Sequence, residues 1–288
     1  RENSAQRHRC QAGRRWAAKP PSPGDGGGYA ACFAASADGQ KAAMSLCASL
    51  TGSPCKALDG PFGHATMAQT SYGNETMPRN LSIGRVRRAL QAPLPGVAAQ
   101  SRMATRPRSS AADFDHPGPP REGAVLVLLY PCDGRLCFPL TRRTERVLTH
   151  RGQISLPGGG REAADRTLWD TAAREAMEEI GVDPSSIEQI GALTPLYVPP
   201  SHFTIQPFVG YTPHRPTFRL SEDEVAELIE MPLEALLDPA AKAEESRLVR
   251  GRMIQAPYYR RGEHVIWGAT AMILSELEVI LSTLPDSS

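Results

Sequence analysis

The stretch that most constrains this chain runs from Leu156 to Val182 and reads LPGGGREAADRTLWDTAAREAMEEIGV. Its apolar residues recur at the spacing of one helical face, and Gly181 with the following Asp183-Pro184 is a stop signal. Asp165 is placed to cap the first turn. The pattern therefore predicts one helix, entered from a glycine turn. Its buried stripe would consist of Trp169, Ala172, Ala173, Ala176 and Ile180.

Three glutamates lie beside this stripe. At about 100° per residue, Glu175, Glu178 and Glu179 fall within an arc of roughly 100°. Carboxylates that close repel each other unless a cation lies among them, and such oxygen ligands suit Mg²⁺ or Mn²⁺. The alternative is a solvated acidic helix face, which a bare E-x-x-E-E pattern would favour. The three glycines before the helix and Arg174, directly before the glutamates, favour the metal site.

On these residues the stretch resembles the Nudix hydrolase family. The family's box is a glycine, five residues, a glutamate, seven residues and then R-E-U-x-E-E-x-G-U, where U is aliphatic. REAMEEIGV, from Arg174 to Val182, fits the second half, with the small Ala176 at a U position. The first half departs from the box. One inserted residue aligns Gly159 with the box glycine and Asp165 with the first acidic position, which is therefore not counted as a metal ligand.

The resemblance implies hydrolysis of a diphosphate with Mg²⁺ or Mn²⁺ as the cofactor. A divalent metal neutralises the phosphate oxygens, polarises phosphorus and lowers the pKa of bound water. By resemblance, Glu178 and Glu179 are the main metal ligands and Glu175 is a further ligand or the base. Glu175, Glu178 and Arg174 are then the catalytic residues, with the guanidinium of Arg174 holding a carboxylate in place.

Further residues follow from the same resemblance. Gly158, Gly159 and Gly160 would let the backbone approach the phosphates and complete the turn into the helix. An additional downstream glutamate sometimes assists the metal or the water in this family, which makes Glu224 and Glu227 candidates.

The residues before the box resemble one branch of the family. LTRRTERVLTHRGQISLPGG, from Leu140 to Gly159, is similar to the signature of coenzyme A pyrophosphatases: L-T-x-R, a small residue, three residues, R, three, G, three, F or L, then P-G-G. Arg143 matches, whereas Thr144 replaces the small residue and Leu148 replaces the second arginine. A cationic wall that includes Arg143 would suit coenzyme A, which carries a 3'-phosphate as well as its diphosphate.

The expected reaction therefore splits coenzyme A or acyl-coenzyme A into 3',5'-ADP and 4'-phosphopantetheine or its acyl form. Leu148 keeps a second interpretation open, a Nudix diphosphatase acting on ADP-ribose, NADH or a dinucleoside polyphosphate. A nucleotide-sensing module without catalysis would be expected to carry damaged box glutamates, and here the three are intact.

Residues 121–285 read as strands with two principal helices, and the resemblance implies an α+β Nudix fold for them, a mixed sheet sandwiched between helices (an α/β/α sandwich). Asp133-Gly134 is a hairpin turn signal, and Pro232 is expected to open a helix that ends near Asp238. A closing helix is expected over 267–281. Strands are expected at 124–130, 136–141, 187–196, 204–211, 224–231 and 258–266.

The N-terminal part is a different kind of sequence. Residues 1–76 are rich in Ala, Gly, Ser, Arg and Pro and show no sustained apolar period, so we expect disorder or a non-native extension. Residues 77–120 are expected to form a short basic helix, with a packing role, and a proline-rich linker. An Arg-rich, acid-poor beginning also resembles an organelle transit peptide, although PPSPGDGGG would break an amphipathic helix.

Charge and composition give few further constraints. The net charge of +1 gives no pointer to nucleic acid, and no apolar run approaches the roughly 18 residues that span a membrane. The six cysteines match no zinc pattern, so free thiols in a reducing, cytoplasmic compartment are expected. The expected partner is a small nucleoside diphosphate, and a homodimer is left open.

Overall fold

A hairpin and one parallel strand form the centre of the main sheet. The computed structural model describes residues 81–144 and 152–285, so the predictions for residues 1–76 lie outside the described residues. Strands β1 (Arg121–Cys132) and β2 (Arg135–Arg143) pair antiparallel, and β1 pairs in parallel with β7 (Phe203–Tyr211). Asp133 and Gly134 form the hairpin turn with φ of 49° and 76°, as the sequence predicts.

Shorter strands extend this sheet on both sides. These strands are β3 (Ile154–Ser155), β4 (Gly158–Gly160), β5 (Glu188–Ala192), β6 (Leu196–Val198) and β8 (Val225–Pro232). The main path of the sheet runs β3-β2-β1-β7-β5, and β4 pairs with β1, β6 with β7 and β8 with β2.

Helices cover both faces of the sheet. On one face, helix α3 (Leu168–Ile180) buries its apolar stripe against alternate residues of β1, such as Leu126 and Leu128. On the other face, the opposite side chains of β1 pack in one apolar cluster with α1 (Ile83–Leu90) and α4 (Gly268–Ser282). This arrangement confirms the predicted mixed sheet between helices.

The C-terminal strands differ from the prediction. Residues 242–267 form a separate antiparallel sheet of β9 (Lys242–Val249), β10 (Arg252–Arg261) and β11 (His264–Trp267). The single strand expected at 258–266 is therefore wrong: the chain turns between Arg261 and His264. The whole of β9 was missed because four of its eight residues are charged and none is buried, which leaves no apolar alternation to detect.

Two further expectations are wrong in local detail. The segment after Pro232 is only a 3₁₀ turn, Leu233–Leu236, with Leu233 and Leu236 buried. Pro239 disfavours a helical conformation at Asp238, and a second 3₁₀ turn, Pro239–Ala241, follows. The strand expected at 187–196 is split into β5 and β6. Pro195 lies in the gap and has no N–H to donate to a ladder.

Residues before the main sheet pack into its core. Leu81, Val86, Leu90 and Met103 belong to the apolar cluster beneath α4, consistent with the packing role expected of the basic helix. A further short helix, α2 (Gly96–Gln100), lies against α4. No helix within residues 81–144 or 152–285 is long and apolar enough to cross a membrane.

Candidate functional site

Helix α3 starts two residues later than predicted. Thr167, not Asp165, is the N-cap: its hydroxyl accepts from the Asp170 N–H at 3.2 Å, and the Asp170 carboxylate accepts from the Thr167 N–H at 2.9 Å. This reciprocal pair is a capping box, and the sequence T-x-x-D was the signal that could have found it. At the other end, Gly181 stops the helix with φ of 72°, as expected.

The three box glutamates differ sharply in exposure. The Glu179 side chain is 4% exposed and that of Glu175 is 14% exposed, whereas Glu178 is 54% exposed. Burial raises the pKa of Glu175 and raises that of Glu179 to about 8. Two carboxyl groups are thus held in an environment that disfavours their negative charge unless a cation compensates it.

The glycine turn before α3 is strand β4, which lies against β1 and against Glu175. A Cβ on Gly158 would lie 2.3 Å from the Ala124 carbonyl oxygen. A Cβ on Gly159 would lie 2.3 Å from Oε1 of Glu175. Gly158 therefore requires glycine, because the atoms that a Cβ would meet include backbone, whereas a Cβ on Gly159 would displace the carboxylate of Glu175. The expected role of these glycines towards phosphates remains a prediction.

Arg174 holds the site together. Its Nε and Nη2 each donate to Asp165 at 3.1 Å, and Nη2 also donates to the Gly160 carbonyl at 3.0 Å. Its Nη1 donates at 3.0 Å both to Glu175 and to Glu178. One guanidinium thus joins the turn, two box glutamates and Asp165.

Asp165 is the buried anchor of that guanidinium. It is 7% exposed and also accepts from the Thr171 hydroxyl and the Glu162 N–H. The hydrogen bonds from Arg174 lower the Asp165 pKa to about 2. Asp165, the residue aligned with the first acidic position of the box, therefore lies beside Arg174.

Arg143 faces Glu179. Its Nη1 lies 3.7 Å from Oε1 of Glu179, and its Nη2 lies 3.8 Å from Oε2 of Glu224. Glu224 is also close enough to raise the pKa of both Glu175 and Glu179. Glu224 therefore lies at the site, as one of the two downstream candidates proposed from the sequence.

The other downstream candidate, Glu227, is engaged elsewhere. Its carboxylate accepts from Arg142 Nε at 2.8 Å and lies 3.2 Å from His264 Nε2. His202 is hydrogen bonded to Tyr197 and to the Gly118 carbonyl.

Two buried polar atoms at the site lack a hydrogen-bond partner in the described part of the chain. They are Oε2 of Glu179 and Nε of Arg143. Four carboxylates, of Glu175, Glu178, Glu179 and Glu224, face two guanidinium groups, one of which is shared with Asp165. The cluster therefore carries excess negative charge and a buried oxygen free to accept a ligand.

Comparisons with known proteins decide the family. The NUDIX domain pattern matches residues 120–251. A Nudix hydrolase NudL of Pectobacterium atrosepticum, itself uncharacterized, is 36% identical over 168 residues, which cover 57% of this chain and 85% of the relative. The NudL of Citrobacter koseri, likewise uncharacterized, is 36% identical over 176 residues, with the same coverage. The chain belongs to the Nudix family.

Likeness to solved Nudix structures is weaker. The Nudix hydrolase RenU of M. smegmatis is 16% identical with a TM-score of 0.41, and the match covers 61% of this chain and 94% of that one. The family assignment rests on the NudL relatives. This chain is accordingly a Nudix hydrolase, an enzyme of a family that acts on nucleoside diphosphate derivatives.

The Nudix box of this chain fits a divalent cation in its chemistry. Its donors are carboxylate oxygens, which suit Mg²⁺ or Mn²⁺, and Oε2 of Glu179 is buried with no hydrogen-bond partner among the described residues. Within residues 81–144 and 152–285, however, no three acidic, histidine or cysteine side chains converge closely enough to hold a metal. Arg174 Nη1 lies between Glu175 and Glu178 instead, so the ligand set Glu175, Glu178 and Glu179 remains a prediction.

Proposed function

We propose that this Nudix hydrolase cleaves the diphosphate of coenzyme A or acyl-coenzyme A with Mg²⁺ or Mn²⁺. Water adds to one phosphorus, the bridging P–O bond breaks, and the products are 3',5'-ADP and 4'-phosphopantetheine or its acyl form. The observation that carries the proposal is the cluster on α3: carboxylates in excess over two guanidinium groups, beside a glycine turn. The L-T-x-R to P-G-G spacing upstream supports coenzyme A as the substrate.

The side chains of the cluster would have distinct roles in the reaction. Glu178 and Glu179 would hold the cation, which supplies charge neutralisation of the diphosphate and a more acidic water. Glu175, packed against Gly159, would complete the ligand set or accept the proton of the attacking water. Arg174 would hold Glu175 and Glu178 in position while it is itself fixed by Asp165.

Arg143 is proposed to serve the substrate as well as the site. Its guanidinium is 27% exposed and lies more than 3.5 Å from both carboxylates that it faces, so it keeps donors for a phosphate oxygen. Leu148, which stands where the signature has its second arginine, lies outside the described residues. The absence of that arginine from the sequence is the observation that favours the second candidate.

The second candidate is a Nudix diphosphatase for another nucleoside diphosphate derivative, such as ADP-ribose, NADH or a dinucleoside polyphosphate. Incubation with Mg²⁺ and a panel of coenzyme A, acetyl-coenzyme A, ADP-ribose and NADH, with products identified by mass, separates the two. The proposal expects the highest kcat/KM with coenzyme A or its acyl form. A clear preference for ADP-ribose or NADH would replace it with the second candidate.

A catalytically silent nucleotide sensor would give a different result on the same panel. Calorimetry would detect ligand binding in Mg²⁺ while mass analysis would detect no product from any compound. The intact glutamates of the Nudix box argue against that outcome.

A further inference from the structure

A cavity of about 510 Å³ lies beside the Nudix site and is not used by the proposed chemistry. Its lining includes Gly160, Glu162, Asp165, Arg121 and Phe203. Arg174 joins this lining to the reaction site, because it donates to the Gly160 carbonyl and to Asp165. The same guanidinium contacts Glu175 and Glu178, so a ligand bound at those glutamates could extend into the cavity.

Arg121 and Phe203 form a stacked pair in the cavity wall. The guanidinium carbon of Arg121 lies 4.1 Å from the centroid of the Phe203 ring. No carboxylate of the described chain forms an ion pair with Arg121, whose side chain is exposed. A planar cation on an aromatic ring is a surface on which a heteroaromatic base can stack.

The wall around this pair is rich in acceptors. The carboxylate of Glu122 is paired with Arg161 at 2.9 Å, and that of Asp165 is bound by Arg174. Glu162 is different: its side chain is 63% exposed, and its closest cation, Nη1 of Arg174, is 3.8 Å away. Two of the three carboxylates are thus occupied by arginines, whereas the exposed Glu162 can accept a hydrogen bond from an amino group.

We propose that this cavity binds the adenine base of the substrate. The ring stacks on the Arg121–Phe203 pair, and the exocyclic amino group donates to Glu162. The proposal rests on the proposed function only in requiring an adenine nucleotide at the Nudix site. It makes Arg121, Phe203 and Glu162 determinants of base recognition, separate from the residues that act on the diphosphate.

Calorimetry with the full chain in Mg²⁺ tests the stacking. The probes are AMP and ribose 5-phosphate, which share the phosphate and the sugar and differ by the base. We expect AMP to bind about tenfold more tightly than ribose 5-phosphate. Phe203→Leu and Arg121→Gln should each remove most of that difference while ribose 5-phosphate binds as before. Arg260→Gln, which disrupts the Arg260–Tyr258 pair outside the cavity, should bind both probes like the wild type.

A third probe tests the amino group. IMP carries a carbonyl oxygen where AMP has its amino group, so the wild type should prefer AMP, and Glu162→Gln should narrow that preference several-fold. Equal binding of AMP and ribose 5-phosphate by the wild type would overturn the proposal. So would Phe203→Leu and Arg121→Gln proteins that keep the full difference, or that lose affinity for both probes alike.

These outcomes are separable from failure of the proposed function. If coenzyme A is not cleaved but the base-dependent difference in affinity is present and is lost in the variants, the substrate proposal fails and the base site stands. If coenzyme A is cleaved and the variants bind AMP normally, the base site fails and the substrate proposal stands.

Discussion

At the scale of single residues, the site depends on the shape of one guanidinium. Arg174 presents five donors in a plane and uses them on Asp165, the Gly160 carbonyl, Glu175 and Glu178. A lysine carries the same charge but cannot form the two parallel bonds to Asp165. The role of Arg174 is therefore geometric as well as electrostatic.

Arg174→Lys tests this directly. We expect kcat for coenzyme A to fall about 10- to 100-fold while KM stays near the wild-type value, because the glutamates lose their fixed orientation. The Mg²⁺ concentration for half-maximal activity should rise. Arg166→Lys is the matched control, since Arg166 is 89% exposed and should be replaceable without effect. A kcat within twofold of wild type for Arg174→Lys would contradict the assignment.

The lowered pKa of Asp165 predicts how the stability of the fold depends on pH. Its folded pKa of about 2 lies below the unfolded value of roughly 3.9, so its ionised form stabilises the fold above that value and loses the effect as pH falls towards 2. Asp165→Asn should lower the free energy of unfolding by about 2 kcal/mol at pH 7. In urea titrations the difference in the free energy of unfolding between wild type and Asp165→Asn should stay constant from pH 7 to 5 and shrink below pH 4. A difference that is unchanged at pH 3 would contradict the lowered pKa of Asp165.

The contacts of Asp165 could not be predicted from the sequence. The placement of the three box glutamates on α3 follows from their spacing, and the register of the Nudix box follows from the family resemblance. The pairing of Asp165 with Arg174 does not, because it is made across a turn whose path is set by β4 pairing with β1. The position of Arg143 against Glu179 was hidden for the same reason: β2 and α3 meet only in the folded sheet.

At the scale of elements, β4 fixes the distance between the glycine turn and α3. An added Cβ at Gly159 would displace the carboxylate of Glu175, whereas one at Gly160 would make an ordinary contact, 3.5 Å from the Phe203 ring. Gly160 should therefore tolerate replacement by alanine better than Gly159 does. Patterns in sequence cannot distinguish them, since both belong to one GGG run.

Gly159→Ala and Gly160→Ala form a matched pair. We expect Gly159→Ala to lower kcat for coenzyme A about 100-fold, because a shift of about 1 Å in a catalytic group has that effect. Gly160→Ala should keep kcat near the wild-type level, since its Cβ would contact the Phe203 ring of the base cavity and any effect should fall on KM. Thermal unfolding of both proteins checks that the folds are intact. Equal activities in the two variants would mean that the Glu175–Gly159 contact does not matter.

The elements that the sequence predicted are those with extensive apolar burial. β1 reads as a continuous apolar run and is buried on both faces along its centre, α3 carries an apolar stripe, and α4 is buried along most of its length. β9 could not be found, because none of its residues is buried and its place is determined by pairing with β10.

At the scale of the whole molecule, the lead-in segment is held to the domain by a buried carboxylate. Glu276 of α4 is fully buried and accepts from the Gly96 N–H, from Gln100 Nε2 and from the hydroxyl of Thr194. These donors come from the segment before the main sheet and from the loop after β5. One side chain therefore couples three distant parts of the chain.

Removal of that carboxylate should cost stability without affecting the chemistry. Glu276→Ala leaves several buried donors unpaired, and we expect the free energy of unfolding to fall by about 3 kcal/mol. Glu188→Ala removes an exposed ion pair with Arg87 and should leave the free energy of unfolding almost unchanged. Urea unfolding of both variants measures the contrast. Similar losses in the two proteins would show that Glu276 does not anchor the lead-in segment.

The most direct test of the central claim is the turnover of coenzyme A by wild type and Glu178→Gln in Mg²⁺, with products identified by mass. Glu263→Gln, at an exposed turn between β10 and β11, is the isosteric control. We predict that wild type and the control release 3',5'-ADP and 4'-phosphopantetheine, and that Glu178→Gln is at least about 100-fold slower. Full Mg²⁺-dependent activity in Glu178→Gln would contradict the account.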